Sequence, residues 1–286
     1  MINVTKIIES IEMCKINRER QAKEVENITS ILGRKPRFLI INASDNMANA
    51  RYIEGKQIEG TLAGLEVIIK KFESDCKEED ILSLINWCNE EKVPVIVKSP
   101  VFDHLNESKL MSAINYNVDA DCFSKEWLGM LANNSNNSLG SATPKGVMNI
   151  LEYNNVEIEG KVALVIGRSN HVGKPMAIML INKGATTIVA NSKTSCLDMF
   201  IQQADIIISC VGKTGLIKAK DIKEGAVVIG VGFTYVGRKQ ILDFSVEEVV
   251  EDGKASIVSN RINCTGKATI DALIDNVIEL YKMNLR

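Results

Sequence analysis

The sequence predicts two α/β domains with a cleft between them, the second laid out to hold a nucleotide. Three observations carry this. The chain has 286 residues, more than one typical domain needs and enough for two separate cores. In both halves short apolar runs alternate with helical patterns, the signature of βαβ units. Between the halves, Asn133-Asn-Ser-Asn-Asn-Ser138 is too polar to join a core and marks a surface loop or a boundary.

In the first half, Arg37-Phe-Leu-Ile-Ile-Asn-Ala43 follows Pro36 and reads as a buried strand, a short apolar run that ends in polar residues. From about Met47 to Phe72 the reading is helical. There Ala48, Tyr52 and Lys56 fall four apart, which stacks them on one helix face. Val93-Pro-Val-Ile-Val97 gives a second strand, and Leu110, Ala113 and Ile114 mark a short helix beyond it. In the second half, Lys161–Gly167, Thr186–Ala190, Ala204–Gly212 and Gly225–Gly230 are strand candidates separated by helical or turn segments, a Rossmann-like arrangement. The amphipathic segment Ile270–Met283 reads as a final helix that packs back on the first half. The expected division is therefore 1–139 with 270–286, and 140–269.

Composition narrows the class. Lys and Arg number 34 against 36 Asp and Glu, for a formal charge of −2, so no basic excess points to nucleic acid. The N-terminal residues mix charge and apolar side chains too early for a signal peptide, and no run approaches a membrane span, so no membrane partner and a cytoplasmic location are expected. The seven cysteines are scattered without the close pairs of a zinc site and read as reduced thiols. With two histidines, His104 and His171, proton transfer must fall to Lys, Tyr, Asp or Glu, and no metal is expected.

After the strand ending at Ile166 comes Gly167-Arg-Ser-Asn-His-Val-Gly-Lys-Pro175, then a helical pattern through Met176, Met179 and Leu180. Gly167 and Gly173 permit tight turning and close backbone approach, and the helix N-terminus offers unpaired amides to a phosphate. Plain turn chemistry explains such glycines equally well, and Ser169 stands where a second glycine is usual. The next strand decides between these readings. It ends in Asn191-Ser-Lys-Thr194, with no carboxylate for a ribose 2′-hydroxyl, whereas Ser192, Lys193 and Arg168 can hold a 2′-phosphate. NADP is expected over NAD.

These residues resemble the bifunctional methylenetetrahydrofolate dehydrogenase/cyclohydrolases, and the resemblance runs through nearly the whole chain. Gly167–Pro175 is similar to the family's G-x-S-x-x-V-G-x-P loop. Asn191–Thr194 looks like the strand end of its NADP-linked members, and Thr143-Pro-Lys-Gly146 like its T-P-x-G. Tyr52-Ile-Glu-Gly-Lys56 matches Y-x-x-x-K, and Asp119-Ala-Asp-Cys-Phe123 matches D-V-D-G-F with the glycine lost. The resemblance implies oxidation of 5,10-methylenetetrahydrofolate by NADP, then hydrolysis of the methenyl product to 10-formyltetrahydrofolate, by a homodimer. It implies that Tyr52 stacks beside the folate, Lys56 is the main proton-transfer and electrostatic group, and Asp121 binds the amino-pyrimidine edge. It places Gly167, Arg168, Ser169, Val172, Gly173, Pro175, Ser192, Lys193 and Thr194 against NADP. Each role has its own physical rationale: i, i+4 side chains share a site, a desolvated lysine sheds its proton more easily, and a carboxylate pairs with an amidine-like edge.

Two departures are specific to this chain. The family's L-V-Q-L-P aligns with Ile96-Val-Lys-Ser-Pro100, so Lys98 stands in place of the glutamine near the catalytic lysine. The P-G-G-V-G-P-M-T segment aligns with Ile262–Thr269 and keeps only Gly266 and Thr269. The first departure predicts that hydrolysis suffers more than hydride transfer; the second alters backbone freedom where the family seats nicotinamide and folate. Two other functions fit the same residues: a paralogue that binds folate or nucleotide with little turnover, and an NADP oxidoreductase acting on another pterin.

Overall fold

The structure is a computed structural model that describes residues 4–237 and 239–285, without the side chains of 47–49, 51, 236 and 239. Ala48, one of the three residues spaced by four, therefore has its side chain outside the described residues. The elements begin with β1 (Lys6–Ile8), α1 (Ile11–Leu32), β2 (Arg37–Asn42), α2 (Met47–Leu62), β3 (Glu66–Lys71), α3 (Glu78–Glu91) and β4 (Val95–Val97). Next come α4 (Glu107–Ser112), α5 (Lys125–Ala132), α6 (Ala142–Tyr153), β5 (Val162–Ile166), α7 (Gly173–Asn182), β6 (Thr186–Ala190), α8 (Leu197–Gln203) and β7 (Ile206–Ser209). The chain ends with β8 (Val227–Gly230), β9 (Phe233–Val236), β10 (Lys239–Leu242), α9 (Val246–Asp252), β11 (Ile257–Ser259) and α10 (Thr265–Asn284).

Contacts divide the chain into two compact units: Lys15–Ala142 with the residues from Ile270 onward, and the residues up to Cys14 with Thr143–Thr269. The N-terminus thus falls in a different unit from the one its sequence position suggested. β1 is hydrogen-bonded in parallel to β11, with Lys6 opposite Ile257 and Ile8 opposite Ser259. A three-residue strand whose partner lies at the other end of the chain leaves no periodic trace in the sequence.

The first unit contains a parallel three-stranded sheet in the order β3-β2-β4. β2 is central and buried on both faces, which is why it reads as an unbroken apolar run. Phe38 and Ile40 join one core with Val25, Ile28, Trp127 and, from α10, Leu273, Val277 and Tyr281. Leu39 and Ile41 point the other way, into a second core with Ile81, Ile85, Cys88, Val95 and Leu110. The helix expected to continue to Phe72 stops at Leu62. Gly64, at φ +97, turns the chain, and Glu66-Val-Ile-Ile-Lys-Lys71 pairs with β2 as a strand. Its β-branched run favours that outcome over a helix.

The second unit is a fully parallel six-stranded sheet in the order β1-β11-β8-β7-β5-β6. From β5 the chain first adds β6 on one side, then returns to place β7 on the other. The strand order reverses at β5, and in open sheets of this kind ligands bind outside the carboxyl ends at that point. No helix among the described residues is long and apolar enough to cross a membrane.

Candidate functional site

The glycine loop sits at that reversal. β5 delivers the chain to Gly167, whose φ of +126 is closed to side-chain-bearing residues. Gly173 opens α7, and a Cβ there would stand 2.3 Å from the Gly167 carbonyl oxygen, an overlap with backbone that no rotamer relieves. Ser169 explains why one glycine of the usual pattern is dispensable. Its Oγ accepts from the N–H groups of Val172 and Gly173 at 3.2 and 3.3 Å, which fixes the turn that leads into α7. Pro175 is buried in the first turn of α7, where its missing N–H costs no hydrogen bond.

Beside it, Ala190 at the end of β6 is in register with Ile166. The following turn is built by its own side chains: Asn191 N–H donates to Thr194 Oγ1 at 2.9 Å, and Lys193 N–H to Asn191 Oδ1 at 3.0 Å. Thr194 therefore shapes the turn, while Ser192 and Lys193 are left exposed, as is Arg168 after β5. Thr143-Pro-Lys-Gly146 proves to be a packing motif. A Cβ on Gly146 of α6 would lie 2.6 Å from the Ala268 carbonyl of α10.

In the first unit three predicted residues from distant segments converge. Lys56 on α2 is only 7% exposed, and Tyr52 lies half-buried one turn before it. Lys98 follows β4 directly; its N–H donates to the Ile41 carbonyl at 2.9 Å and its Nζ to the Ser99 carbonyl at 2.5 Å. Burial, and then the positive charge of Lys56, hold the Lys98 ammonium below the usual lysine range, against the opposing pull of Asp121 and Glu107. Lys56, Lys98 and Asp121 thus share one electrostatic neighbourhood.

Asp121 is presented by a fixed turn. Cys122 takes φ 56, the left-handed conformation for which glycine is the usual choice. Asn276 of α10 donates to the carbonyls of Ala120 and Gly140 at 3.0 and 2.9 Å, and Ser141 Oγ donates to the Cys122 carbonyl at 3.2 Å. Asp119, which sequence reasoning left without a role, is buried under this turn and accepts from Ser124 N–H at 2.8 Å. Burial lifts its carboxyl to about 7. The D-x-D spacing contains both residues but does not say that one faces the core and the other the surface.

A model of the tetrahydrofolate dehydrogenase/cyclohydrolase catalytic domain matches residues 8–121, and one of the same family's NAD(P)-binding domain matches residues 141–285. The chain belongs to the tetrahydrofolate dehydrogenase/cyclohydrolase family. The bifunctional protein FolD of Bacillus velezensis is 32% identical over 98% of both chains. The solved structure of bifunctional FolD from Campylobacter jejuni has a TM-score of 0.93 at 29% identity, covering 98% of this chain and 99% of that one. The Trypanosoma brucei methylenetetrahydrofolate dehydrogenase-cyclohydrolase, solved with NADP and an inhibitor, has a TM-score of 0.92 at 25% identity over 99% of both.

The segment 262–269 is held by hydrogen bonds. Asn263 is left-handed at φ 63, Ser10 Oγ donates to the Cys264 carbonyl at 2.8 Å, and Thr265 Oγ1 donates to the Gly230 carbonyl at 3.0 Å. α10 starts at Thr265, so side-chain hydrogen bonds and a helical turn occupy this stretch.

Proposed function

We propose that this chain oxidises 5,10-methylenetetrahydrofolate to 5,10-methenyltetrahydrofolate with NADP as hydride acceptor, and hydrolyses the methenyl product to 10-formyltetrahydrofolate as a second, weaker activity. The observation that carries this reading is the convergence of Lys56, Lys98 and Asp121 in one unit of a chain whose other unit has the glycine loop of a dinucleotide site. That loop fits the cofactor: the absent Cβ atoms at Gly167 and Gly173 keep its backbone close-packed at the strand-order reversal, the place where open sheets of this kind bind their ligands. NADP supplies hydride acceptance when bound. The protein's contribution is placement and charge. Arg168, Ser192 and Lys193 hold the 2′-phosphate; Tyr52 lies along the folate; Asp121 accepts from the amino-pyrimidine edge; and Lys56 moves the proton that hydrolysis requires. A homodimer belongs to the same proposal on the family resemblance.

The test is purified protein supplied with methylenetetrahydrofolate and NADP, with NADPH and methenyl product followed together. NADPH equal to the sum of methenyl and 10-formyl products, with the methenyl product accumulating first, supports the reading; binding of both ligands without turnover assigns the chain to a non-catalytic paralogue. Arg168→Ala is expected to weaken NADP by about tenfold to a hundredfold, the worth of one charge-assisted contact, and to leave NAD unchanged. Equal loss for both cofactors removes Arg168 from the phosphate site.

A further inference from the structure

The loop after β7 is tied down by a carboxylate to which no sequence pattern points. Asp243 directly follows β10 and is completely buried. Its side chain accepts from the N–H groups of Val211 at 3.0 Å and Lys213 at 2.6 Å, and from the Ser209 hydroxyl. Its main-chain carbonyl accepts from the N–H groups of Leu216 and Ile217 at 2.8 and 3.1 Å. Each of these donors is a main-chain N–H or a hydroxyl, so the side chain and main chain of Asp243 together hold five donors of β7 and the loop.

The place of this loop gives the arrangement its meaning. Ser209 ends β7 in register with Ile166 of β5, so the loop leaves the sheet at the same strand-order reversal as the glycine loop. The two are in contact, since a Cβ on Gly167 would lie 3.2 Å from the Cβ and the carbonyl oxygen of Cys210. Behind the loop there is no slack. A Cβ on Gly232 would stand 2.4 Å from Gly212 N, 2.5 Å from Val211 N and 2.7 Å from the Asp243 carboxylate. Val211, apolar yet 47% exposed, forms the rim.

We infer that Asp243 is a positioning residue for the dinucleotide, holding the backbone of residues 210–213 as the wall of the cofactor site opposite the glycine loop. This rests on the dinucleotide reading proposed above. Asparagine at 243 keeps the size but has one acceptor oxygen for three donors, and its amide group must face at least one of them. The wall then loosens, while Tyr52, Lys56 and Asp121 belong to the other unit, with a core of its own.

The experiment measures direct binding of NADP and of 5,10-methenyltetrahydrofolate, each alone, to wild type, Asp243→Asn and Ser209→Ala, with unfolding midpoints as a control. Asp243→Asn is expected to weaken NADP by about tenfold, the cost of reordering a loosened wall on binding, with unchanged folate affinity. Ser209→Ala removes one donor and gives a smaller loss with the same selectivity; it carries the test by itself if Asp243→Asn does not fold. NADP affinity unchanged in the folded variants, or NADP and folate affinities falling in step, overturns the inference. Failure of wild type to bind NADP at all overturns instead the function on which it rests.

Discussion

At the scale of single residues, Lys98 is the substitution with the largest chemical consequence. A glutamine both donates and accepts, whereas a protonated lysine only donates, so the relay beside Lys56 changes character. The structure puts the two lysines close enough for Lys56 to help depress the Lys98 ammonium. Loss of one proton relieves part of that repulsion, but positive charge remains where the proposed function would seat a cationic methenyl-folate. Hydride transfer depends on alignment and tolerates this better than hydrolysis, which needs the cation bound and a water activated. Lys98→Gln is therefore expected to raise the ratio of methenyl hydrolysis to NADPH formation by at least about tenfold. Efficient hydrolysis by the wild type, or an unchanged ratio in the variant, defeats the argument. Lys56, Lys98 and Asp121 could be singled out in the sequence because motifs fix residue type and spacing. What their neighbours do could not be read from it. Asp119 and Asp243 are acidic residues of ordinary appearance until the fold buries them under a turn and a loop.

At the scale of elements, β2, β4 and the four strand candidates of the second half were legible, since buried parallel strands are apolar throughout and leave compact runs. β1 and β3 were not, the first being three residues long and the second sitting at a sheet edge with only partly buried side chains. Helix α10 was visible as an amphipathic pattern, but its attachment to α1 rests on polar residues that the pattern assigns to solvent. Gln21 Nε2 donates to Asp271 Oδ1 and Asp275 Oδ1 at 3.1 and 2.9 Å, Asn17 Nδ2 to Asp271 Oδ2 at 2.7 Å, and Arg20 pairs with Asp275. Burial foremost, opposed by Asn17 and reinforced by Asp275, raises the Asp271 carboxyl to about 6 from an ordinary 3.8. Between those values the unfolded chain loses its proton and the folded one keeps it. This group's contribution to stability is therefore greatest below about pH 4, falls as pH rises, and is complete as a cost above about pH 6, where it amounts to about 3 kcal/mol. Asp271→Asn keeps the volume, and Asn17 can turn its amide to match. The variant should gain on wild type as pH rises from about 4 to 7. Denaturant midpoints that run parallel across that range would show that the carboxyl is not strained by burial.

At the scale of the whole molecule, the division into two compact units falls inside three helices, between Cys14 and Lys15 of α1, between Ala142 and Thr143 at the start of α6, and between Thr269 and Ile270 of α10. None of these boundaries is a flexible linker. Helix formation is cooperative along the chain, so melting one end of α1 or α10 removes hydrogen-bonded turns that support the other. The two units are then expected to unfold together, and the chain contains its own reporter. Both tryptophans, Trp87 and Trp127, lie in the unit with Tyr52, Lys56 and Asp121, whereas the glycine loop lies in the other. A ligand that binds only the folded state stabilises it by mass action, by about 2.7 kcal/mol at a hundredfold excess over its dissociation constant. For a chain of this size that corresponds to a rise in midpoint of about 5 °C. With coupled units, NADP shifts the tryptophan-fluorescence transition by this amount, and circular dichroism shows one transition at the same temperature. A tryptophan transition that stays in place while dichroism separates into a shifted and an unshifted step would mean that each unit melts alone, and that the shared helices break at the boundary.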